Sequence, residues 1–376
     1  MKYFYDLQQI HIVVTTACNL NCTYCYEHNK HFSIPNVNTI KHDIRYYLSS
    51  HPTNKILVTY HGGEPLLNFS FVKDLSEWLW STFGEDIVKV AFVTNGTILT
   101  KDIKEWIYEN RARLSVAVSI DGIPEVHNKN RSNSFSKIDL DFFLSLYKKL
   151  PVKMTVPPNS LDYLYEGFLF LYEKGCIPDV ALAAETTFSR KHKDILISEL
   201  KKIIGFYSVH HDLPVTEFLF FPFERLSPSF PDKRWEKHRC GIESARLAID
   251  TKGNFYPCQT FISDFQKEYS IDNIQRVNQQ IRSHTWRDLF DACNNCLIRE
   301  ICSPCYGLNY SYRGAINAID VGMCDVTTIV ALASANLWTN ILLNQTTYPW
   351  LSNYEPDLLS HRLIGLNTFI NRINEQ

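Results

Sequence analysis

A chain of 376 residues, 45% of them hydrophobic and with a formal net charge of −2, has room for two domains and a large core and lacks the basic excess of a nucleic-acid binder. Runs such as Arg190-Lys191-His192-Lys193 read as solvated helix faces. Eleven cysteines, with no charged N-terminal region followed by an apolar stretch and a small-residue cleavage site, point to metal binding in the cytoplasm rather than to secreted disulfides.

The first strand is expected over Ile10–Val14, and the loop that follows it, Thr15-Thr16-Ala17-Cys18-Asn19-Leu20-Asn21-Cys22-Thr23-Tyr24-Cys25-Tyr26, carries three cysteines. Spacing of three and two residues curls three thiolates around one soft metal centre; on a four-iron cube, three protein ligands leave one iron open for a small molecule. Two plainer readings use the same residues, as inert buried thiols or as a zinc site completed by His28. Zinc prefers closed four-ligand sites built from paired knuckles, which a lone three-cysteine loop after a buried strand fits poorly.

Further strands are expected at Ile56–Tyr60, Val88–Thr94, Leu114–Ile120, Val152–Val156 and Val180–Ala184, with helix-period segments between them, such as Phe71, Leu75, Trp78 and Leu79. Six βα units in succession predict an α/β fold with a parallel sheet, which a doubly wound sheet or a barrel would satisfy equally. Polar residues gather at the strand ends, where such folds place their sites. After the second strand comes His61-Gly62-Gly63-Glu64-Pro65; after the third, Asn95-Gly96; after the fourth, Ser119-Ile120-Asp121-Gly122, then His127-Asn128 and Arg131. Asn95-Gly96 and Asp121-Gly122 are also ordinary turn dipeptides. Cys176, alone between a helix and a strand, reads as a small buried hydrophobe.

Prolines at 214, 222, 228 and 231 mark a boundary, beyond which Cys240, Cys258, Cys293, Cys296, Cys302, Cys305 and Cys324 follow. Asp250 and Lys252-Gly253-Asn254 predict a hairpin that folds Cys258 back toward Cys240. Zinc in Cys293-x2-Cys296-x5-Cys302-x2-Cys305 is the competing reading, but knuckles only five residues apart leave little chain to turn round one metal. The last part, Val326–Leu343 and Pro356–Asn374, reads as packing helices; Thr327, Thr328, Asn336, Thr339 and Asn340 interrupt the first, short of a membrane-spanning run of about 18 apolar residues. No membrane partner is expected.

The cysteine loop, with Tyr24 before its third cysteine, and the GGEP-like run resemble the radical S-adenosylmethionine (SAM) enzymes, and the later cysteines resemble the SPASM extension of peptide-modifying members. The resemblance implies a partial (β/α)6 TIM-like barrel over 1–225, an auxiliary-cluster domain over 226–325 and a helical segment over 326–376. It implies SAM and three 4Fe-4S clusters, held by Cys18, Cys22 and Cys25, by Cys293, Cys296, Cys302 and Cys324, and by Cys240, Cys258 and Cys305. It places Tyr24, Gly62, Gly63 and Glu64 around SAM, with Glu64 accepting from the methionyl ammonium, Ser119 and Arg131 on the carboxylate and Asn95 on the ribose side. Few residues precede the first strand, so no leader-binding domain is expected there.

Three departures stand out. Only Ser303 and Pro304 separate Cys302 from Cys305, where the family usually has three residues. Sulfatase-maturing members have an extra cysteine shortly before the position of Cys240, where this chain has Trp235-Glu236-Lys237-His238-Arg239, so one auxiliary iron is open or held by His238 or another non-cysteine group. They also have a basic aspartate where this chain has Gln259; Asp250 and Asp264 are candidate replacements, both equally turn residues. The implied activity is oxidation or crosslinking of a short ribosomal peptide precursor, driven by an external one-electron reductant. Formylglycine formation on sulfatases is the alternative enzyme, and a non-catalytic iron-sulfur or zinc scaffold the alternative of another class.

Overall fold

The computed structural model describes residues 8–27, 30, 32–50, 55–225, 240–242, 246–262, 271–299, 301–302, 304–353 and 356–374. His28, His238 and Asp264, weighed above as ligands or base, lie outside the described residues, as does Ser303.

Six strands, β1 Gln8–Thr15, β2 Ile56–Gly62, β3 Val88–Thr94, β4 Leu114–Ser119, β5 Leu150–Val156 and β6 Cys176–Leu182, alternate with helices. These are α1 Val37–Ser50, α2 Phe69–Phe83, α3 Lys101–Asn110, α4 Pro124–Asn130, α5 Leu140–Leu146, α6 Leu164–Glu173 and, after β6, α7 Arg190–Tyr207 and α8 Glu217–Glu224. All neighbouring pairs from β1 to β6 are parallel and in sequence order, the βα succession the alternation predicted. Ile10, Ile12 and Val14 on β1 alternate with His11, Val13 and Thr15, so one face packs the helices and the other turns into the barrel. α7 starts in a capping box, in which Ser189 Oγ accepts from His192 N and His192 Nδ1 accepts from Ser189 N.

The sixth strand begins four residues earlier than expected. Pro178 argues against an interior strand, but β6 is the edge of the sheet, where a missing N–H costs no ladder bond. Cys176 is its first residue and is buried, as expected of a small hydrophobe. Glu185 lies three residues beyond the strand in a left-handed turn with φ 58°.

The predicted hairpin forms from β7 Arg246–Ile249 and β8 Phe255–Tyr256, with Ile249 paired to Phe255. Its first strand, β7, joins β1 in parallel, giving one sheet of eight strands in the order β6-β5-β4-β3-β2-β1-β7-β8, so the barrel sheet runs across the boundary expected near residue 225. Asp250 organises the turn: its Oδ1 accepts from Lys252 N and Asn254 N, each at 2.8 Å, and its Oδ2 from Asn254 Nδ2 at 2.9 Å and Tyr256 OH at 3.1 Å. A carboxylate so engaged is a turn residue and not a free base.

Helices α9 Ile271–Ser283, α10 Trp286–Leu289 and α11 Tyr306–Arg313 carry the cysteine-rich part, and α12 Val321–Leu343 and α13 Pro356–Asn374 close the fold. By length and composition α12 would pass as a bilayer span, with a mean hydropathy of 1.5 over its most apolar window, contrary to the expectation from its threonines and asparagines. Its apolar side packs on the barrel: Trp338 stacks on Phe223 at 4.0 Å, and Ser334 Oγ and Trp338 Nε1 both donate to Leu219 O.

Candidate active site

The loop after β1 is locked to the loop after β2 by backbone. Gly63 N donates to Thr15 O at 3.2 Å and Glu64 N to Ala17 O at 2.9 Å. A Cβ on Gly62, whose φ is 139°, would stand 2.1 Å from Thr15 O; one on Gly63 would stand 2.2 Å from Ala17 O and 2.8 Å from Cys18 Cβ. The two glycines therefore let the cysteine loop, rather than a ligand alone, approach the backbone.

Glu64 follows, 1% exposed, and both its oxygens already face donors: Oε1 accepts from Leu66 N at 3.1 Å and Thr94 Oγ1 at 2.7 Å, Oε2 from Asn95 N at 2.7 Å. Burial pushes its carboxyl above the usual range, against the pull of these three donors. Oε1 is filled by its two donors, while Oε2, with one, retains acceptor capacity toward the cavity that Glu64 lines. The Asn95 amide binds Asn19 Oδ1 at 2.8 Å and accepts from Thr97 N and Oγ1, so its side chain braces the cysteine loop from β3.

Asp121, taken from sequence as turn residue or site residue on even terms, proves central. Its Oδ2 accepts from Tyr24 OH at 2.6 Å; its Oδ1 meets Arg131 Nε at 3.0 Å and accepts from Thr155 N at 3.0 Å. Arg131 lies over the Tyr24 ring at 5.4 Å, beside Cys22. Burial works against the guanidinium's charge, but Asp121, Tyr24 and Cys22 hold its pKa above the ordinary value. His127, fully buried, accepts from Asp121 N at 3.3 Å, and burial pushes its pKa down to about 3. Asp121 thus ties the cysteine loop to the ends of β4 and β5 and to Arg131 after α4. Its sequence signals were its place just past β4 and the turn dipeptide Asp121-Gly122.

These elements surround a cavity of about 640 Å³ lined by Cys18, Cys22, Cys25, Tyr24, Gly62, Gly63, Glu64, Asn95, Ser119 and Arg131, the residues the resemblance places on the first cluster and on SAM. Gln259, next to Cys258, lines it too, with its Oε1 buried and without a protein partner among the described residues. Sequence reasoning gave no role to His61, which sits 3.2 Å from Tyr26 OH and 3.3 Å from Glu27 Oε1, and missed the Lys153–Asp179 pair, which faces inward from β5 and β6.

The later cysteines fall into two sets by mutual electrostatic reach. Cys258 feels Cys305 and Cys240; Cys302 feels Cys324, Cys293 and Cys296. Cys305, two residues from Cys302, is felt by Cys258 and yet lines the same cavity as Cys293, Cys296, Cys302 and Cys324. A second cavity, about 260 Å³, is lined by Cys293, Cys296, Cys302, Cys305 and Cys324, and Ala184 borders both cavities. Burial pushes Cys18 up to about 11 and Cys258 and Cys302 up to about 12, so these thiols keep their protons until a metal takes the proton's place. Among the described residues no three His, Cys, Asp or Glu side chains close round a single ion. Cys18, Cys22 and Cys25 line the larger cavity, and Cys293, Cys296, Cys302, Cys305 and Cys324 the smaller.

The family description "Radical SAM superfamily" matches residues 12–144. An uncharacterized protein of Methanocaldococcus jannaschii, MJ0907, is 34% identical over 53% of this chain and 71% of its own. The radical SAM cyclopropyl synthase TigE of Paramaledivibacter caminithermalis is 21% identical over 85% and 72% of the two chains, and a cysteine-type anaerobic sulfatase-maturating enzyme of Clostridium perfringens 24% identical over 75% and 79%. In fold, the chain is similar to anSMEcpe with bound AdoMet and the Cp18Cys peptide, with TM-score 0.66, 17% identity and coverage of 88% and 98%. It is also similar to Streptococcus suis SuiB bound to its precursor peptide SuiA, with TM-score 0.59, 16% identity and coverage of 85% and 76%. The sequence match spans the same cysteine loop and strand ends that the fold gathers around one cavity: the chain belongs to the Radical SAM superfamily.

Proposed function

We propose that this chain is a cytoplasmic radical SAM/SPASM enzyme that oxidises a short ribosomal peptide, forming a crosslink or a related modification. The observation that carries the reading is the large cavity, where the three-cysteine loop, the GGEP-like brace and the strand-end polar residues meet Gln259 beside the auxiliary cysteines. Cys18, Cys22 and Cys25 would hold the first cluster, the two later sets one auxiliary cluster each. The chemistry supplied there is reductive cleavage of SAM, with an electron from an external reductant, to a 5′-deoxyadenosyl radical able to take a hydrogen atom from the peptide. Glu64 accepts from the methionyl ammonium with the remaining lone pair of Oε2. Ser119 and Arg131 take the carboxylate, Tyr24 backs the cluster loop and Asn95 edges the ribose side. Auxiliary clusters close to a carbon radical suit net oxidation, since they accept the electron it must lose. No nucleic acid or membrane partner is part of this reading.

Sulfatase maturation is the second reading, supported by the Clostridium relative. Against it stands Gln259, an amide that cannot act as a base near neutral pH. The reduced, anaerobically reconstituted enzyme should carry about twelve iron per chain and cleave SAM. Offered a sulfatase-motif peptide and the product of any short gene beside its own, it should change the mass of the second. Formylglycine on the first with the second unchanged would establish the maturase reading instead, and stoichiometric zinc without iron-sulfur absorption would remove both.

A further inference from the structure

Among the described residues, three acids line the larger cavity: Glu27, Glu64 and Asp179. Glu64, 1% exposed, already accepts from three protein donors, and its last lone pair is the one assigned above to the SAM ammonium. Glu27, 6% exposed, stands two residues after Cys25 with its Oε1 on His61, which also meets Tyr26 OH. Asp179 differs from both. Its side chain is 26% exposed, its Oδ2 accepts from Lys153 Nζ, and its Oδ1 has no protein partner among the described residues. It is the cavity acid with an oxygen open to an incoming molecule.

The sheet fixes where that oxygen stands. Ser119 pairs in register with Lys153, and Lys153 with Asp179, so the three form one row across β4, β5 and β6, and all three line the cavity. Two strand spacings, about 10 Å, separate Asp179 from Ser119, the residue placed on the SAM carboxylate. Further along β6 the next cavity-lining position on the same face is Ala181, followed beyond the strand by Ala183. Methyl groups at these places leave the space beside the Asp179 carboxylate open. The position where a maturase has its aspartate holds Gln259, and Asp250 is spent on its turn.

Resting on the reading of this chain as a peptide oxidase, we propose that Asp179 is the base that takes the proton released in that oxidation. A peptide C–H bond breaks first, its hydrogen atom passing to the 5′-deoxyadenosyl radical to give 5′-deoxyadenosine. The carbon then bonds to a neighbouring peptide atom whose own bond to hydrogen breaks, the proton going to a carboxylate oxygen of Asp179 and one electron to an auxiliary cluster. The peptide loses two hydrogens in all. The plainer role of the Lys153–Asp179 pair is a cross-strand ion pair that steadies the edge of the sheet, and it predicts different variants to fail.

The test uses the reconstituted full chain, SAM, a reductant and a deuterated peptide encoded by a short gene beside its own. If the parent enzyme leaves that peptide unchanged, the underlying reading fails, and this proposal with it, before any variant is made. With the parent active, Asp179→Asn should keep its iron, its peptide affinity measured without reductant, and deuterium transfer from peptide to 5′-deoxyadenosine. Product formed per 5′-deoxyadenosine should fall about 100-fold or more, the scale of general-base catalysis. Asp179→Glu, which restores a carboxylate, should recover part of that loss. Lys153→Met breaks the ion pair but keeps the base, so it should stay nearer the parent than Asp179→Asn does. If Asp179→Asn loses iron, Asp179→Thr, β-branched and suited to a strand, takes its place. An unchanged product ratio in the iron-replete variant overturns the proposal, as does loss of peptide affinity or deuterium transfer along with product, which places the residue before the proton step. Lys153→Met falling as far as Asp179→Asn overturns it too, since the ion pair then matters and the base does not. A lost product ratio in His61→Gln or Glu27→Gln, with Asp179→Asn unaffected, gives the proton to that pair instead.

Discussion

Glu64 shows how much a single side chain carries in this site. It is ionisable, buried and already the acceptor for three protein donors, so changing it alters both the ligand contact and the packing of β3 on the loop after β2. Glu64→Gln keeps the volume but places an NH₂ group where Oε1 or Oε2 now meets a donor. SAM binding should weaken by about 1.5 to 3 kcal/mol, the scale of a charge-assisted hydrogen bond, or roughly 10- to 100-fold in Kd by equilibrium dialysis. Iron content should hold, because Glu64 is no cluster ligand. Unchanged SAM affinity would show that the ammonium sits elsewhere. His127 makes a second prediction. Its pKa is depressed to about 3 in the folded chain against about 6.5 unfolded, so its contribution is present above pH 6.5 and lost as pH falls toward 3. Stability should drop by about 2 kcal/mol from this group between pH 7 and pH 5. His127→Asn should flatten that part of the pH dependence in anaerobic urea unfolding; an equal slope in parent and variant would contradict the assignment.

At the scale of elements, the loop after β1 and the loop after β2 form one unit joined by Gly62 and Gly63. Gly63→Ala would drive a methyl group into the Ala17 carbonyl, which stands 2.2 Å from its place, and the contact is backbone that cannot swing away. The cysteine loop must shift, so the reconstituted variant should hold about eight iron rather than about twelve, with SAM cleavage lost and the auxiliary signals kept. Full iron content with normal SAM cleavage would mean the loop tolerates the displacement. The same pairing of elements explains where the reading of β6 fell short. A proline next to a short apolar run looks like a strand start, and only the position of β6 at the sheet edge reveals that the strand passes through Pro178.

For the whole molecule, the cysteine-rich part and the last helices are built onto the barrel rather than hung from it. β7 extends the sheet beside β1, Arg313 reaches back to Glu185 after β6, and α12 lies across α7 and α8. Trp338, 1% exposed and stacked on Phe223, is the anchor of that contact. Trp338→Ala should cost about 3 to 5 kcal/mol, as truncation of a large buried aromatic does, and the loss should appear in a single cooperative transition. A second, separate transition for the C-terminal part would show that it folds alone.

The sequence by itself determined what depends on local spacing and period: six βα units, the hairpin at Asp250, the cysteine loop, the GGEP-like turn and the choice of polar residues at strand ends. These follow from short-range geometry, since alternation, turn chemistry and ligand spacing are all written within a few residues. Only the tertiary structure decided which residues meet across the chain. That Asp121 holds Tyr24 and Arg131, that the glycines receive the cysteine loop, that His61 faces Tyr26 and Glu27, and that Arg225 reaches the four-cysteine set are all contacts between segments far apart in sequence. No local pattern encodes them, because they are fixed by how parallel strands bring their C-terminal ends to one rim and by which helices the sheet's curvature leaves room to dock.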